Sequence, residues 1–272
     1  MVKRKKPREA KTRFLNFVRE HLIEECNPLP LIHITPAYRF AEIIPGDELI
    51  PVWCEIFQQE LIYTFYGRPA YKSQDMVNSE LEFNWPIVLL FDHANVGEIK
   101  RIMPFDSGAF NDRIYANYFH KDSQMLDFEL PGDIGYATAL ASIFYTSPQR
   151  YMTANADRNP NIGLSHFEAQ GVQALNQVPV FSRRTGERRD ERSSTIEVQI
   201  GEKIKLIDNV MAIILPQQYV DHEEIMDAVA RWHLPTKNIR YYDMVYLQDN
   251  SSVSGEIYRV VREIYRENGL VA

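Results

Sequence analysis

The chain reads as an α+β domain, a split and mostly antiparallel β-core with helices on its flanks. Three observations predict this. The longest apolar runs, WPIVLLF at 85–91 and VMAIILP at 210–216, have the character of buried strands. Both fall far short of the roughly 20 residues that span a bilayer. The stretches 194–200, 203–207 and 210–215 follow one another without crossover helices, which argues against a doubly wound parallel sheet. Finally, no internal repeat or low-complexity linker divides the 272 residues. A basic arm over 1–13 is therefore expected to precede a single domain over 14–272.

The elements follow in order. Apolar residues Phe14, Leu15, Phe17, Val18, Leu22 and Ile23 recur at helical spacing, predicting a helix over 9–26 that stops at Asn27-Pro28. LPLIHIT is a strand, and Pro36 opens a short helix that runs to Ile44 and ends at Pro45-Gly46. Residues 61–66 and 85–91 are strands. Residues 109–119 and 133–146 read as helices, the second largely apolar and central. Ser165 caps a helix to Asn176. After an arginine-rich loop at 181–192 come the three late strands. Asp221 then caps a helix to Trp232, Ile239–Tyr242 is a strand, and 254–268 is an amphipathic helix.

Charge is unevenly placed. Residues 1–13 hold seven basic side chains against the single acid Glu9, although the chain as a whole carries −7. Such an arm binds polyanions locally, or is simply a solvated terminus. No apolar segment follows it, so it does not read as a secretory signal. Cys26 and Cys54 form no CxxC, and a reduced, cytoplasmic protein without a membrane segment is the expectation.

Several common sites are missing. There is no GxGxxG, GxxxxGK[ST], GxSxG or HExxH. His33, Asp92, His93 and His120 lack ligand spacing, so no metal is expected. Three segments remain. In LIHIT, alternation sends His33 to the face opposite Ile32 and Ile34, with Thr35 offering a hydroxyl at the strand end. A lone strand histidine is also a common structural residue. In YTFYGRPAY, Gly67 and Pro69 stiffen a turn that holds Arg68 among Tyr63, Tyr66 and Tyr71. A guanidinium there suits a diphosphate and the tyrosines suit a stacked ring, whereas a hairpin corner would leave Arg68 exposed. In RSSTIEVQI, Thr195, Glu197 and Gln199 share one face. A glutamate between apolar residues marks either a site or an open edge.

Early strand histidine, middle aromatic–arginine segment and late strand glutamate occur in an order that resembles the ADP-ribosyltransferase family. The closest likeness is to the bacterial DarT-type toxins, which modify nucleic acid, with phage-defence toxins of the toxin–antitoxin–chaperone kind as further relatives. LIHITPAYRFAEIIPG, YTFYGRPAY and the strand around Glu197 carry the likeness, over residues 29–72 and 180–200. Residues 92–165 take no part in it. The resemblance implies NAD as substrate, with its ribose near His33 and Thr35. Its phosphates or nicotinamide would lie near Arg68 with Tyr63, Tyr66 or Tyr71 as a wall, and Glu197 would stabilise the ribosyl cation. It also implies that the loop before the glutamate meets the acceptor. Arg183, Arg184, Arg188, Arg189 and Arg192 would there contact nucleic acid, and an antitoxin protein is a possible partner. Two alternatives stay open: a non-enzymatic nucleic-acid- or partner-binding protein with a degenerate cleft, and a metal-dependent nuclease using Asp92, His93 or His120.

Overall fold

The apolar runs form the middle of one large sheet. The structure, a computed structural model, describes residues 11–23, 27–70, 81–157, 162–178, 194–243 and 250–271. In chain order its strands are β1 (Leu31–Pro36), β2 (Glu48–Leu49), β3 (Val52–Cys54), β4 (Gln59–Tyr66), β5 (Pro86–Phe91), β6 (Ile99–Met103), β7 (Leu130–Pro131), β8 (Glu197–Ile200), β9 (Ile204–Lys205), β10 (Val210–Pro216) and β11 (Ile239–Tyr242). The main sheet runs β11-β10-β5-β1-β4-β8-β6-β7, with β3 paired to β4, while β2 and β9 form a separate two-stranded ladder. Among the described residues only β10 and β11 pair in parallel; the other pairs are antiparallel. The fold is α+β, as the late strands lacking crossovers predict.

Every residue of β5 is buried, which is why its sequence is a continuous apolar run. The helices cover the sheet: α1 (Arg13–Arg19), α2 (Ala37–Ile43), α3 (Ser107–Asn111), α4 (Ile134–Tyr145), α5 (Pro148–Met152), α6 (Phe167–Asn176), α7 (Glu223–Arg231) and α8 (Asn250–Glu267). Among the described residues none is long and apolar enough to cross a membrane.

The sheet forks beside β1. Against β5 this strand pairs along its whole length, from Leu31↔Phe91 to Pro36↔Pro86. Against β4 it pairs only at Leu31↔Tyr66 and Ile32↔Phe65. Along its other edge β4 pairs with β8, from Phe65↔Glu197 to Ile62↔Ile200. The β-core is thus split, and β1 and β8 lie on the two sides of β4.

Several sequence expectations need correction. Of the described residues within the expected 9–26, the first helix covers Arg13–Arg19. The helix expected over 109–119 is confined to Ser107–Asn111, because Arg113 adopts φ +63° and turns the chain. Neither Ser165 nor Asp221 caps a helix: the N-cap residues are His166 and His222, without side-chain capping bonds. The stretch 203–207 contributes only Ile204–Lys205, outside the main sheet. Strands β2, β3, β6 and β7 were not foreseen, being short or interrupted by charge.

Candidate functional site

Glu197 opens β8 with both carboxylate oxygens engaged. Its Oε1 accepts from Ser107 Oγ at 2.7 Å and from Gln199 Nε2 at 2.6 Å. Its Oε2 accepts from the Ser107 backbone N–H at 3.0 Å. Ser107 starts α3, whose N-cap Asp106 accepts from Ala109 N–H. Glu197 is 2% exposed, with Asp106 and Ser107 also buried. Burial, with the Asp106 charge adding to it, pushes the Glu197 carboxyl up to about 7 from 4.5, against the pull of its three donors. Gln199 in turn accepts from Arg101 NH1 at 2.9 Å, and Arg101 pairs with Glu129 and lies over the Phe57 ring. A cation therefore reaches Glu197 through one oriented amide.

His33 sits at the fork. Where backbone pairing with β4 has ended, its imidazole takes over: Nδ1 lies 2.9 Å from the Tyr63 carbonyl. A carbonyl only accepts, so Nδ1 carries the proton and Nε2 presents a lone pair. Burial lowers the His33 pKa, which keeps the ring neutral. Thr35, two residues on, is buried at 5% exposure. Tyr63 links the two sides of β4, since its carbonyl meets His33 and its hydroxyl feels the Glu197 charge. That hydroxyl donates to Cys54 Sγ at 2.7 Å.

Arg68 is not an exposed hairpin corner. It is 9% exposed, and NH1 donates to the Ser194 carbonyl at 2.9 Å. Its guanidinium lies 5.9 Å from the Tyr151 ring centre. Burial raises the Tyr145, Tyr151 and Tyr258 hydroxyls, and the Arg68 charge opposes this in each. The turn that places it depends on Gly67, whose φ of +63° and closeness to Leu29 exclude a Cβ. Among the described residues no carboxylate pairs with Arg68, and its Nε has no partner.

Three of the expected residues thus lie around one strand, but not in one contact network. Hydrogen bonds tie His33 to Tyr63 and Arg68 to the chain three residues before Glu197; none joins Arg68 to His33 or Glu197. Tyr66 is a core residue at 2% exposure, its hydroxyl bonded to Leu29 N–H and Thr138 Oγ1, and offers no free face for stacking. Tyr71, the loop arginines Arg183, Arg184, Arg188, Arg189 and Arg192, and the basic arm through residue 10 lie outside the described residues. Asp106, Ser107, Gln199 and Arg101 were missed. Gln199 was legible as sharing the face of Glu197, and Asp106-Ser107 has the residue types of a helix start. Among the described residues no three His, Cys, Asp or Glu side chains gather in a way that could hold a metal ion.

Compared with family models, with curated proteins and with solved structures, the chain shows no significant match to any.

The Glu197 environment sets a pH dependence. A carboxyl whose pKa is higher folded than unfolded holds its proton more tightly in the native state. Its contribution to stability is present below about 4.5 and is lost as pH rises through about 7. Denaturant titrations between these values should show this loss in the wild type, and its absence from Glu197→Gln. An unchanged pH slope in the variant would mean that another group titrates there.

Proposed function

We propose that the protein is an ADP-ribosyltransferase that moves ADP-ribose from NAD to a macromolecular acceptor, with nucleic acid as that acceptor. The observation that carries the reading is the fork in the sheet. It puts a neutral histidine, its Nε2 without a hydrogen-bond partner among the described residues, on one side of β4 and a buried glutamate on the other. Arg68, buried without a carboxylate among the described residues, adds a place for an anion at the end of the same strand. In this reading His33 Nε2 and Thr35 receive the ribose, Tyr63 forms the wall, Arg68 holds a phosphate, and Glu197 stabilises the positive ribose as nicotinamide leaves. The ionised glutamate is the active form, so the transfer rate should rise through about pH 7. A cytoplasmic toxin or phage-defence effector, opposed by an antitoxin, fits this activity.

A second reading is favoured by one feature: Glu197 is sealed, with both oxygens taken by Ser107 and Gln199. A cleft of this kind binds without turning over, as in a nucleic-acid- or partner-binding protein. Incubation with labelled NAD together with DNA, RNA or nuclease-treated lysate separates the two. Label on any acceptor supports transfer, and NAD binding without label supports the binding protein.

The acceptor assignment has its own test. Replacing Arg183, Arg184, Arg188 and Arg189 with alanine should impair acceptor modification and spare NAD binding. Because the chain carries −7 overall, polyanion binding must be local and should weaken steeply with salt. Flat salt dependence with robust labelling of protein in nuclease-treated lysate would make the acceptor a protein.

A further inference from the structure

The loop after α3, read from sequence as a helix, is instead a run of tight turns around a small cavity. Turn bonds hold it: Arg113 N–H to Phe110 O at 3.1 Å, Ala116 N–H to Arg113 O at 3.2 Å, and Ser123 N–H to His120 O at 2.8 Å. The cavity, about 110 Å³, is lined by Phe110, Tyr115, Phe119, Arg113, His120 and Lys121 among others. None of the residues assigned to the NAD cleft lines it.

Its chemistry is two-sided. The apolar wall is a cluster of packed rings: Phe110 stacks on buried Phe105 at 4.9 Å, and Phe119 meets Phe105, Phe110 and Phe128 at 5.0–5.3 Å. Phe119 is also pressed against Gly171, where an added Cβ would come within 2.6 Å of its ring. At the rim stand Arg113 and Lys121, both exposed. Neither has an ion-pair partner among the described residues, and no described acid is among the lining residues, although the Asp122 carboxylate lies 3.7 Å from His120 Nδ1. His120 is the exception at the rim, its Nδ1 accepting from Asp122 N–H at 3.2 Å.

Arg113 supplies an independent observation. It is held at φ +63°, a conformation that costs a residue with a side chain of order 1 kcal/mol or more. Its backbone bonds to Phe110 and Ala116, and the packing of the rings on either side of it, hold this turn, and the turn sets Arg113 in the lining of the cavity. At about 110 Å³ the space is well below the roughly 300 Å³ at which pockets for whole drug-sized ligands begin. A space of this size is on the scale of a single ring, so a charged substituent on that ring belongs at the mouth.

We propose that this cavity is a binding site for a nucleoside monophosphate unit, its base against Phe110 and Phe119 and its phosphate on Arg113 and Lys121. Base–aromatic stacking and guanidinium–phosphate pairing both tolerate any base. The unit is either a free nucleotide or one residue of a single strand. The site does not depend on the NAD reading, although α3 ties it to Glu197: Ser107, at one end of the helix, holds the carboxylate, and Phe110, three residues on, lines the cavity.

Binding is tested by calorimetry on the full chain without NAD, using cytidine 5′-monophosphate, inorganic phosphate and a short single-stranded oligodeoxynucleotide. Cytidine is used because NAD contains no pyrimidine nucleotide. Cytidine monophosphate should bind at least tenfold more tightly than phosphate, and an Arg113→Gly/Lys121→Ala double variant should lose at least tenfold of that affinity. Glycine accepts φ +63°, so the variant keeps its fold while losing the guanidinium. Tighter binding of the oligonucleotide than of the mononucleotide assigns the site to a strand, and the reverse to a free nucleotide. Equal affinity for phosphate and cytidine monophosphate, or no loss in the double variant, overturns the proposal. Loss in Arg68→Met but not in the double variant would place the ligand in the cleft and overturn it equally.

Discussion

Glu197→Gln should reduce ADP-ribosyl transfer by about 10²–10³, the equivalent of roughly 2.7–4 kcal/mol, with NAD affinity nearly unchanged. The amide keeps the volume and loses the charge that would meet the developing cation. The surroundings add a second effect. Three donors converge on this carboxylate, from Ser107 N–H, Ser107 Oγ and Gln199 Nε2. An amide brings its own donor into that group. Ser107 Oγ can rotate to accept, but Gln199 cannot flip without turning its own donor toward Arg101. The variant should therefore also lose about 1–3 kcal/mol of stability, the cost of one buried unsatisfied donor. Single-turnover transfer, NAD titration and denaturant unfolding separate the two effects. Transfer at the wild-type rate would move the catalytic role to another acid, Glu168 or Glu191.

Arg68→Met should have the opposite signature, with stability kept or raised and NAD binding weakened by about 10–150-fold. A guanidinium at 9% exposure with no carboxylate among the described residues is costly to bury. Replacing buried ionic groups with apolar ones of similar volume is often neutral or stabilising by roughly 1–4 kcal/mol. The Ser194 carbonyl is not orphaned by the change, since Tyr145 Oη also donates to it at 3.3 Å. A charge-assisted bond to a phosphate contributes about 1.5–3 kcal/mol, which sets the expected loss of affinity. Thermal unfolding and NAD titration are the measurements. A variant that is destabilised yet binds NAD normally would make Arg68 a structural residue.

What was legible in the sequence, and what was not, follows from range. The strands β1, β4, β5 and β10 are apolar runs whose identity is local, and α4 is legible from its apolar content, whereas α6 was read from a Ser165 cap that the structure replaces with His166. Strand β6 was hidden because Lys100 and Arg101 interrupt it; the Arg101 charge is accommodated by Gln199, Glu129 and Phe57, which the fold brings to it. The aromatic spacing at 110, 115 and 119 imitated a helix, yet those rings pack on Phe105 and Phe128 and the backbone bends to let them. His33, Arg68 and Glu197 stood out because each is a polar side chain in an apolar stretch. Their surroundings did not, because the Ser107 clamp on Glu197 spans 90 positions and no local pattern encodes it.

The strand order bears on how this chain is made. Strand β4 takes β8 as a neighbour, and β5 takes β10, so two central ladders join segments more than a hundred residues apart. During synthesis, β4 and β6 expose unpaired edges until Glu197–Ile200 emerges, and β5 waits longer for Val210–Pro216. Long-range pairing of this sort is slow and leaves sticky edges available to other chains. The strand that closes the gap between β4 and β6 is the one that delivers Glu197. A ribosome-bound intermediate therefore lacks Glu197 until its sheet can close around that residue.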